Sequence, residues 1–361
     1  MTESTSITRA AELFSCAGGM AAGFRRAGIE FERAIDASAD ACVSYQRNLG
    51  HAPWTVDVGW LARHPGIGGD PGYFDLVVAD PPCTPWSRAG KREGLADERD
   101  CLEVTRDLIL AWRPRAYLIG NVPGLDDARH LPTVRALLAP LARAGYCVTD
   151  FARLDAADHG VPQHRVRPFW FGHLGGPCIS WPRPTHCDPR ALASGCLFES
   201  ERLAPWVTCR ESLSVLPRDE WGEPLCRYRA HKKHPPSRPD EPSHTITSEQ
   251  RSVGGGVLEW PWDRPATTVY CRPEMSPPAC VRRPNGRRGS RTDSGFSSHP
   301  LAIRLSERAA AVLQGFPPDW YFHGTSRRAR WQQIGQAMPP GLAAAVAGSI
   351  RDWFTIQTRE A

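Results

Sequence analysis

The sequence predicts an α/β fold in which a parallel sheet, covered on both faces by helices, is joined to a smaller, loop-rich second unit. Two observations carry this. In the first half of the chain, short apolar runs alternate with segments of helical period. From about Trp181 to about Pro300 that rhythm gives way to proline, arginine, histidine and tryptophan, and regular patterning returns only near the C-terminus. At 361 residues the chain can bury a large core and carry a second unit beside it.

Taken in order, Glu12 to Cys16 reads as a first strand, and Gly18-Gly19 opens a helix that runs to about Ala27. Phe31 to Asp36 and Phe74 to Ala79 read as further strands. Leu102 to Trp112 has helical spacing, Ala116 to Ile119 is a short strand, and Leu131 to Ala144 is an amphipathic helix. This βαβα order places helices on both faces of a parallel sheet, with ligands expected at the carboxyl ends of the strands. Arg165 to Gly172 reads as another strand. In the irregular region the phrases Pro242 to Thr247 and Pro265 to Val269 each suggest a short strand after a proline turn, and its tryptophans argue against disorder. Ser306 to Gln314 and Pro340 to Trp353 are expected helices.

Composition narrows the class. No stretch approaches the roughly 20 apolar residues that span a bilayer, and Met1 to Arg9 lacks the apolar core of a signal peptide. A cytoplasmic protein without membrane partners is the expectation. The 12 cysteines contain no C-x-x-C pair, which points to reduced thiols and no metal site. The net charge of +5 is carried almost wholly by arginine, with lysine confined to Lys91, Lys232 and Lys233. The run Val281 to Arg291 holds Arg282, Arg283, Arg287, Arg288 and Arg291 without an acid, and reads either as a solvated loop or as a phosphate-binding segment.

Three phrases carry chemistry. Leu13-Phe14-Ser15-Cys16-Ala17-Gly18-Gly19-Met20 is a glycine turn between a strand and a helix, which aims backbone N–H groups and a helix N-terminus at a ligand or serves only as a tight connection. Asp36 ends the next strand, where a carboxylate can accept two ribose hydroxyl bonds, and Asp57 lies near the expected end of a third; either acid also suits a cap or turn. Together with Phe14 as a stacking surface they describe an adenosine pocket. Asp80-Pro81-Pro82-Cys83-Thr84-Pro85-Trp86-Ser87 then delivers a cysteine from a buried strand into a proline-stiffened turn. Such a cysteine is either structural or a nucleophile held in one geometry.

In combination these residues resemble the cytosine-C5 DNA methyltransferase family, nearly end to end. The glycine turn, Phe14, Gly18 and Gly19 match the family's first motif, and Asp36 and Asp57 its acidic cofactor contacts. Pro81-Pro82-Cys83 matches the nucleophile loop, with Ser87 nearby. Gln163-His164-Arg165-Val166-Arg167 matches Q-x-R-x-R, while Gln314 to Pro317 and Gln333 to Pro340 match the closing motifs, and the resemblance makes Pro81 and Gln336 further expected cofactor contacts. The resemblance implies a Rossmann-like S-adenosylmethionine-dependent methyltransferase domain formed by residues 1–185 and 304–361, with a target-recognition domain at 186–303. It implies that the thiolate of Cys83 adds to C6 of a flipped cytosine in double-stranded DNA, so that C5 takes the methyl group. Arg165 and Arg167, two apart on a strand, share a face; they are either a surface ion-pair element or, as in the family, groups that hold the cytosine O2. Gln163, Ser87 and the arginines of 282–288 are the expected DNA contacts, in a monomer with a restriction–modification role.

One position breaks the pattern. Gly120-Asn121-Val122 stands where the family carries Glu-Asn-Val, so the carboxyl group that bonds N3 and the exocyclic amine is missing, leaving an expected void. Acid assistance of that kind is worth about 100-fold to 10,000-fold. Cys16, Thr84, Ala309 and Gln336 also depart from the family's usual residues. The activity is then weakened or removed at Gly120, or the chain is a DNA-binding pseudoenzyme, or it acts on an RNA cytosine or a modified pyrimidine.

Overall fold

The computed structural model describes residues 7–82, 101–128, 130–193, 203–224 and 303–360, with short strands at 228–229, 257–258, 266–267 and 296–297. Strands β1 (Ala10–Leu13), β2 (Phe31–Asp36), β3 (Trp54–Thr55), β4 (Leu76–Ala79), β5 (Ala116–Gly120) and β6 (Cys147–Asp155) are followed by β7 (Gln163–His164) and β8 (Val166–His173). All but β7 form one seven-stranded sheet in the order β3-β2-β1-β4-β5-β8-β6. The parallel reading holds for β1 to β5. Strand β8 runs antiparallel to both β5 and β6, because it follows β6 through a short connection with a single 3-10 turn (Ala156–His159) rather than a helical crossover.

The sheet residues alternate strictly between two cores. Ala10, Leu76, Val78, Ala116 and Leu118 face one side, where they meet Phe24, Tyr45, Leu342 and Val346. That side is covered by α1 (Gly19–Arg26), α2 (Ala39–Leu49) and the long C-terminal helix. Ala11, Leu13, Val77, Ala79, Tyr117 and Ile119 face the other side. It is covered by α3 (Val58–Arg63), α4 (Pro65–Gly68), α5 (Leu102–Trp112) and α6 (Leu131–Arg143). Both faces of the central strands being buried explains why they read as continuous apolar runs. The short helices α7 (Pro189–Ala193) and α8 (Cys209–Leu213) precede α9 (Glu307–Leu313), α10 (Arg327–Gln336) and α11 (Pro340–Glu360). Leu213, Trp221, Leu305, Leu313, Trp331 and Ile334 form a third, smaller core around α8, α9 and α10.

The two ends of the chain are locked together by absent side chains. A Cβ at Gly23 of α1 would stand 2.5 Å from the carbonyl oxygen of Pro340 and 2.7 Å from the nitrogen of Ala344. Only glycine lets α1 and α11 approach this closely. The N-terminal turn is thereby held against the segment that leads into α11. In the irregular region Ala266–Thr267 pairs in parallel with β7, a strand expected from the proline phrase there; the phrase at 242–247 lies outside the described residues.

Candidate active site

The ends of β1, β2, β4 and β5 meet at the carboxyl edge of the sheet, where open α/β sheets bind their ligands. After β1 the chain turns through Phe14 and Cys16, both at positive φ (59° and 48°), before Gly18 at 87°. Left-handed backbone at non-glycine residues persists where surrounding contacts impose it. Asp36 supplies those contacts: the Cys16 N–H donates to its Oδ2 at 2.8 Å and the Ser38 N–H to its Oδ1 at 2.8 Å. A carboxylate has about four acceptor positions, so roughly two remain for a ligand. Burial raises the Asp36 carboxyl above its usual range, and the two N–H groups oppose that rise.

The buried hydroxyl of Ser15 has no hydrogen-bond partner among the described residues. Phe14, half-buried beside it, offers a ring to stack on. An acceptor at 36, an unsatisfied hydroxyl at 15 and the glycine turn at 18–19 fit an adenosine-bearing cofactor. Asp57 is exposed and caps α3, its Oδ1 accepting the Trp60 N–H at 2.7 Å.

Strand β4 ends at Ala79 and leads through Asp80 into a buried Pro81 and an exposed Pro82. Cys83 and Ser87 lie outside the described residues, as do Arg282, Arg283, Arg287 and Arg288. Asp80 is pushed upward by burial and drawn down by Arg167 and then Arg165. Both arginines are buried, 6% and 3% exposed, so neither belongs to a surface ion pair. The Arg165 guanidinium donates to the carbonyl of Gly335 at 2.8 Å and to that of Gln336 at 3.5 Å, tying β8's start to the end of α10. Arg167 donates to the Val166 carbonyl at 3.0 Å. Gln336 itself keeps an exposed side chain at this edge.

Gly120 is closely surrounded at the position of its missing Cβ. That Cβ would lie 3.2 Å from Phe169 Cε1, 3.3 Å from Met338 Cε and 3.4 Å from Asp80 Oδ1, so the first atom of a side chain there would be tightly packed. The expected DNA contact Gln163 needs correction. It is fully buried, and its Nε2 donates to Gln314 Oε1 at 2.6 Å and to the Leu313 carbonyl at 3.2 Å. Gln314 in turn donates to the Ala337 carbonyl at 2.7 Å. The resemblance of 163–167 to the Q-x-R-x-R motif makes Gln163 an expected DNA contact; in the fold its side chain belongs to a buried relay that joins the middle of the chain to its end.

The family model for the C-5 cytosine-specific DNA methylase matches residues 8–201 and 213–352 of this architecture. The chain belongs to that family. Among its curated relatives, the type II methyltransferase M.AgeI of Thalassovita gelatinovora is 32% identical over 430 residues, covering 94% of this chain and 98% of the relative. The type II methyltransferase M.AplI of Arthrospira platensis is 29% identical over 346 residues, covering 94% and 84%. Among solved structures, the Dnmt2 methyltransferase of S. pombe aligns with a TM-score of 0.58 at 17% identity, over 97% of this chain and 99% of that one. The Entamoeba histolytica methyltransferase EhMeth aligns at 0.62 and 13% identity, over 98% and 99%. These likenesses show the Rossmann-like fold.

Within this member of the family the sequence reading passes over Asp80 and Glu12. Asp80 sits inside the phrase that carries Cys83, and its signal in the sequence is a carboxylate at the carboxyl end of a buried parallel strand. Glu12 lies mid-strand in β1 at 2% exposure, and burial holds its carboxyl well above the usual range against the opposing effect of the Tyr45 hydroxyl. No helix among the described residues is long and apolar enough to cross a membrane. No group of three or more His, Cys, Asp or Glu side chains among them is placed to hold a metal ion.

Proposed function

We propose that this chain transfers a methyl group from S-adenosylmethionine to C5 of a cytosine flipped out of duplex DNA, through a covalent adduct of Cys83. The observation that carries this reading is the convergence, at one sheet edge, of the Asp36-braced turn with the strand that leads into Pro81-Pro82-Cys83. Phe14, Gly18, Gly19 and Asp36 would hold the cofactor, with the Asp36 carboxylate accepting from the ribose hydroxyls. Bound there, S-adenosylmethionine supplies an electrophilic methyl group.

The thiolate of Cys83 adds to C6, which turns C5 into an enamine carbon. Arg165 and Arg167, buried and therefore acting through a medium of low polarity, stabilise the negative charge that develops on the pyrimidine. The buried relay Gln163–Gln314–Ala337 and the Arg165 tie to Gly335 keep that arginine from swinging out of the site. Residues 1–185 and 304–361 form the catalytic domain in this reading, and 186–303, with Arg282, Arg283, Arg287 and Arg288, would bind the phosphate backbone and read the target.

The test is transfer of labelled methyl from S-adenosylmethionine to unmethylated genomic DNA, followed by mapping of 5-methylcytosine, for the wild-type chain and Cys83→Ala. Transfer lost in Cys83→Ala supports the reading. A silent wild-type chain, or label in RNA alone, rejects it.

A further inference from the structure

The carboxyl group that Gly120 lacks has a neighbour in the right place. Strands β4 and β5 run parallel in register, Ala79 opposite Ile119, so Asp80 and Gly120 stand side by side one step further on. Residues adjacent across parallel strands direct their side chains to the same face. Ala79 and Ile119 face the α3–α6 side, which turns Asp80 and Gly120 to the α1–α11 side. Phe169, paired with Gly120 across β5 and β8, belongs to that side too. Arg167, two residues before it, shares the face. A Cβ on Gly120 would touch Asp80 Oδ1 at 3.4 Å, so the oxygen lies at the root of the space that a side chain at 120 would use.

We propose that Asp80 is the catalytic carboxyl group of this chain, supplying from β4 the proton donor that a glutamate at position 120 would supply from β5. The proposal rests on the cytosine-C5 reading above. Aspartate is one methylene shorter than glutamate, about 1.5 Å of reach, but it starts three residues from Cys83 in a loop stiffened by Pro81 and Pro82. In the addition step, the Cys83 Sγ–C6 bond forms and the C5=C6 electron pair moves to C5=C4. The C4=N3 pair then moves onto N3, which takes the Asp80 carboxyl proton. The resulting carboxylate faces Arg165 and Arg167. When the C5 proton leaves to solvent and the Sγ–C6 bond breaks, the N3 proton returns to Asp80. Burial favours the protonated acid needed at the outset, and the two arginines temper that preference so that the proton can be given up. Glu12 is a further charged neighbour, on β1.

The experiment compares single-turnover methyl transfer to unmethylated genomic DNA by the wild-type chain, Asp80→Asn, Asp80→Ala, Gly120→Glu, and the double variant Asp80→Gly with Gly120→Glu. Asp80→Asn keeps the side-chain shape, and circular dichroism with S-adenosylhomocysteine affinity checks that each variant is folded. Both Asp80 single variants should lose about 100-fold to 10,000-fold in rate with cofactor affinity unchanged. Gly120→Glu alone should also lose rate, since it crowds a second carboxyl against Asp80. The double variant should recover at least about tenfold over Asp80→Ala, because the carboxyl returns from the adjacent strand. The wild-type rate should fall as pH rises past the Asp80 pKa, and Asp80→Asn should lack that limb. Asp80→Ala within about fivefold of wild type, against the expected hundredfold or more, overturns the proposal while leaving the methyltransferase reading intact. A double variant no better than Asp80→Ala overturns it as well. A silent wild-type chain overturns both.

Discussion

Replacing Asp36 tests how the turn after β1 is built and whether it holds the proposed cofactor. Its two oxygens accept from different backbone donors, Oδ2 from Cys16 and Oδ1 from Ser38, each at 2.8 Å. A hydrogen bond to a charged group contributes about 1.5–3 kcal/mol, and two bonds from this carboxylate to ribose hydroxyls would together contribute about 3 kcal/mol at the low end. At about 1.4 kcal/mol per factor of ten, Asp36→Ala should weaken S-adenosylhomocysteine binding about 100-fold. Asparagine is the more revealing change. An amide has a single acceptor oxygen, so its NH2 group must face one of the two N–H donors and oppose it. Asp36→Asn should therefore bind about as poorly as Asp36→Ala, within roughly threefold, despite its matching shape. Isothermal titration calorimetry with S-adenosylhomocysteine reads the affinity, and thermal melting of the free protein separates loss of binding from loss of fold. Wild-type affinity in Asp36→Asn would refute the bracing role.

Two further outcomes follow from the packing. Gly23→Ala should destabilise the protein by about 1–3 kcal/mol, since overpacking against the Pro340 carbonyl and the Ala344 nitrogen outweighs the gain of roughly 1 kcal/mol in helix propensity; urea denaturation showing a more stable variant would contradict the close approach of α1 and α11. Burial raises the Glu12 carboxyl well above its ordinary range, so between the unfolded pKa of about 4.3 and the folded value the native state holds the extra proton, and stability should fall as pH rises, by up to about 1.4 kcal/mol per unit. Glu12→Gln, which cannot ionise, should show a flatter dependence as pH rises above the unfolded pKa of about 4.3, and parallel curves would exclude Glu12 as the source.

The sequence by itself determined the order of elements and the family. Apolar runs marked β1, β2, β4 and β5 because strands buried on both faces must be apolar throughout, and the motifs lie in local turns whose residue types the chemistry dictates. Phe14, Asp36 and Cys83 could be singled out for that reason. Helices α2 and α10 and strand β6 escaped it, since their apolar positions are sparse or interrupted by polar residues that the fold buries, such as Ser44, Gln333 and Asp150. The tertiary structure decided what depends on residues far apart in the chain. It set β8 antiparallel to its neighbours, buried Gln163 in a pair with Gln314, and packed Phe169, Met338 and Asp80 around the Cβ position of Gly120. A glycine in a sequence shows only that a side chain is missing. Which group stands next to it is set by strand register, and register joins Asp80 to Gly120 across 40 positions of sequence.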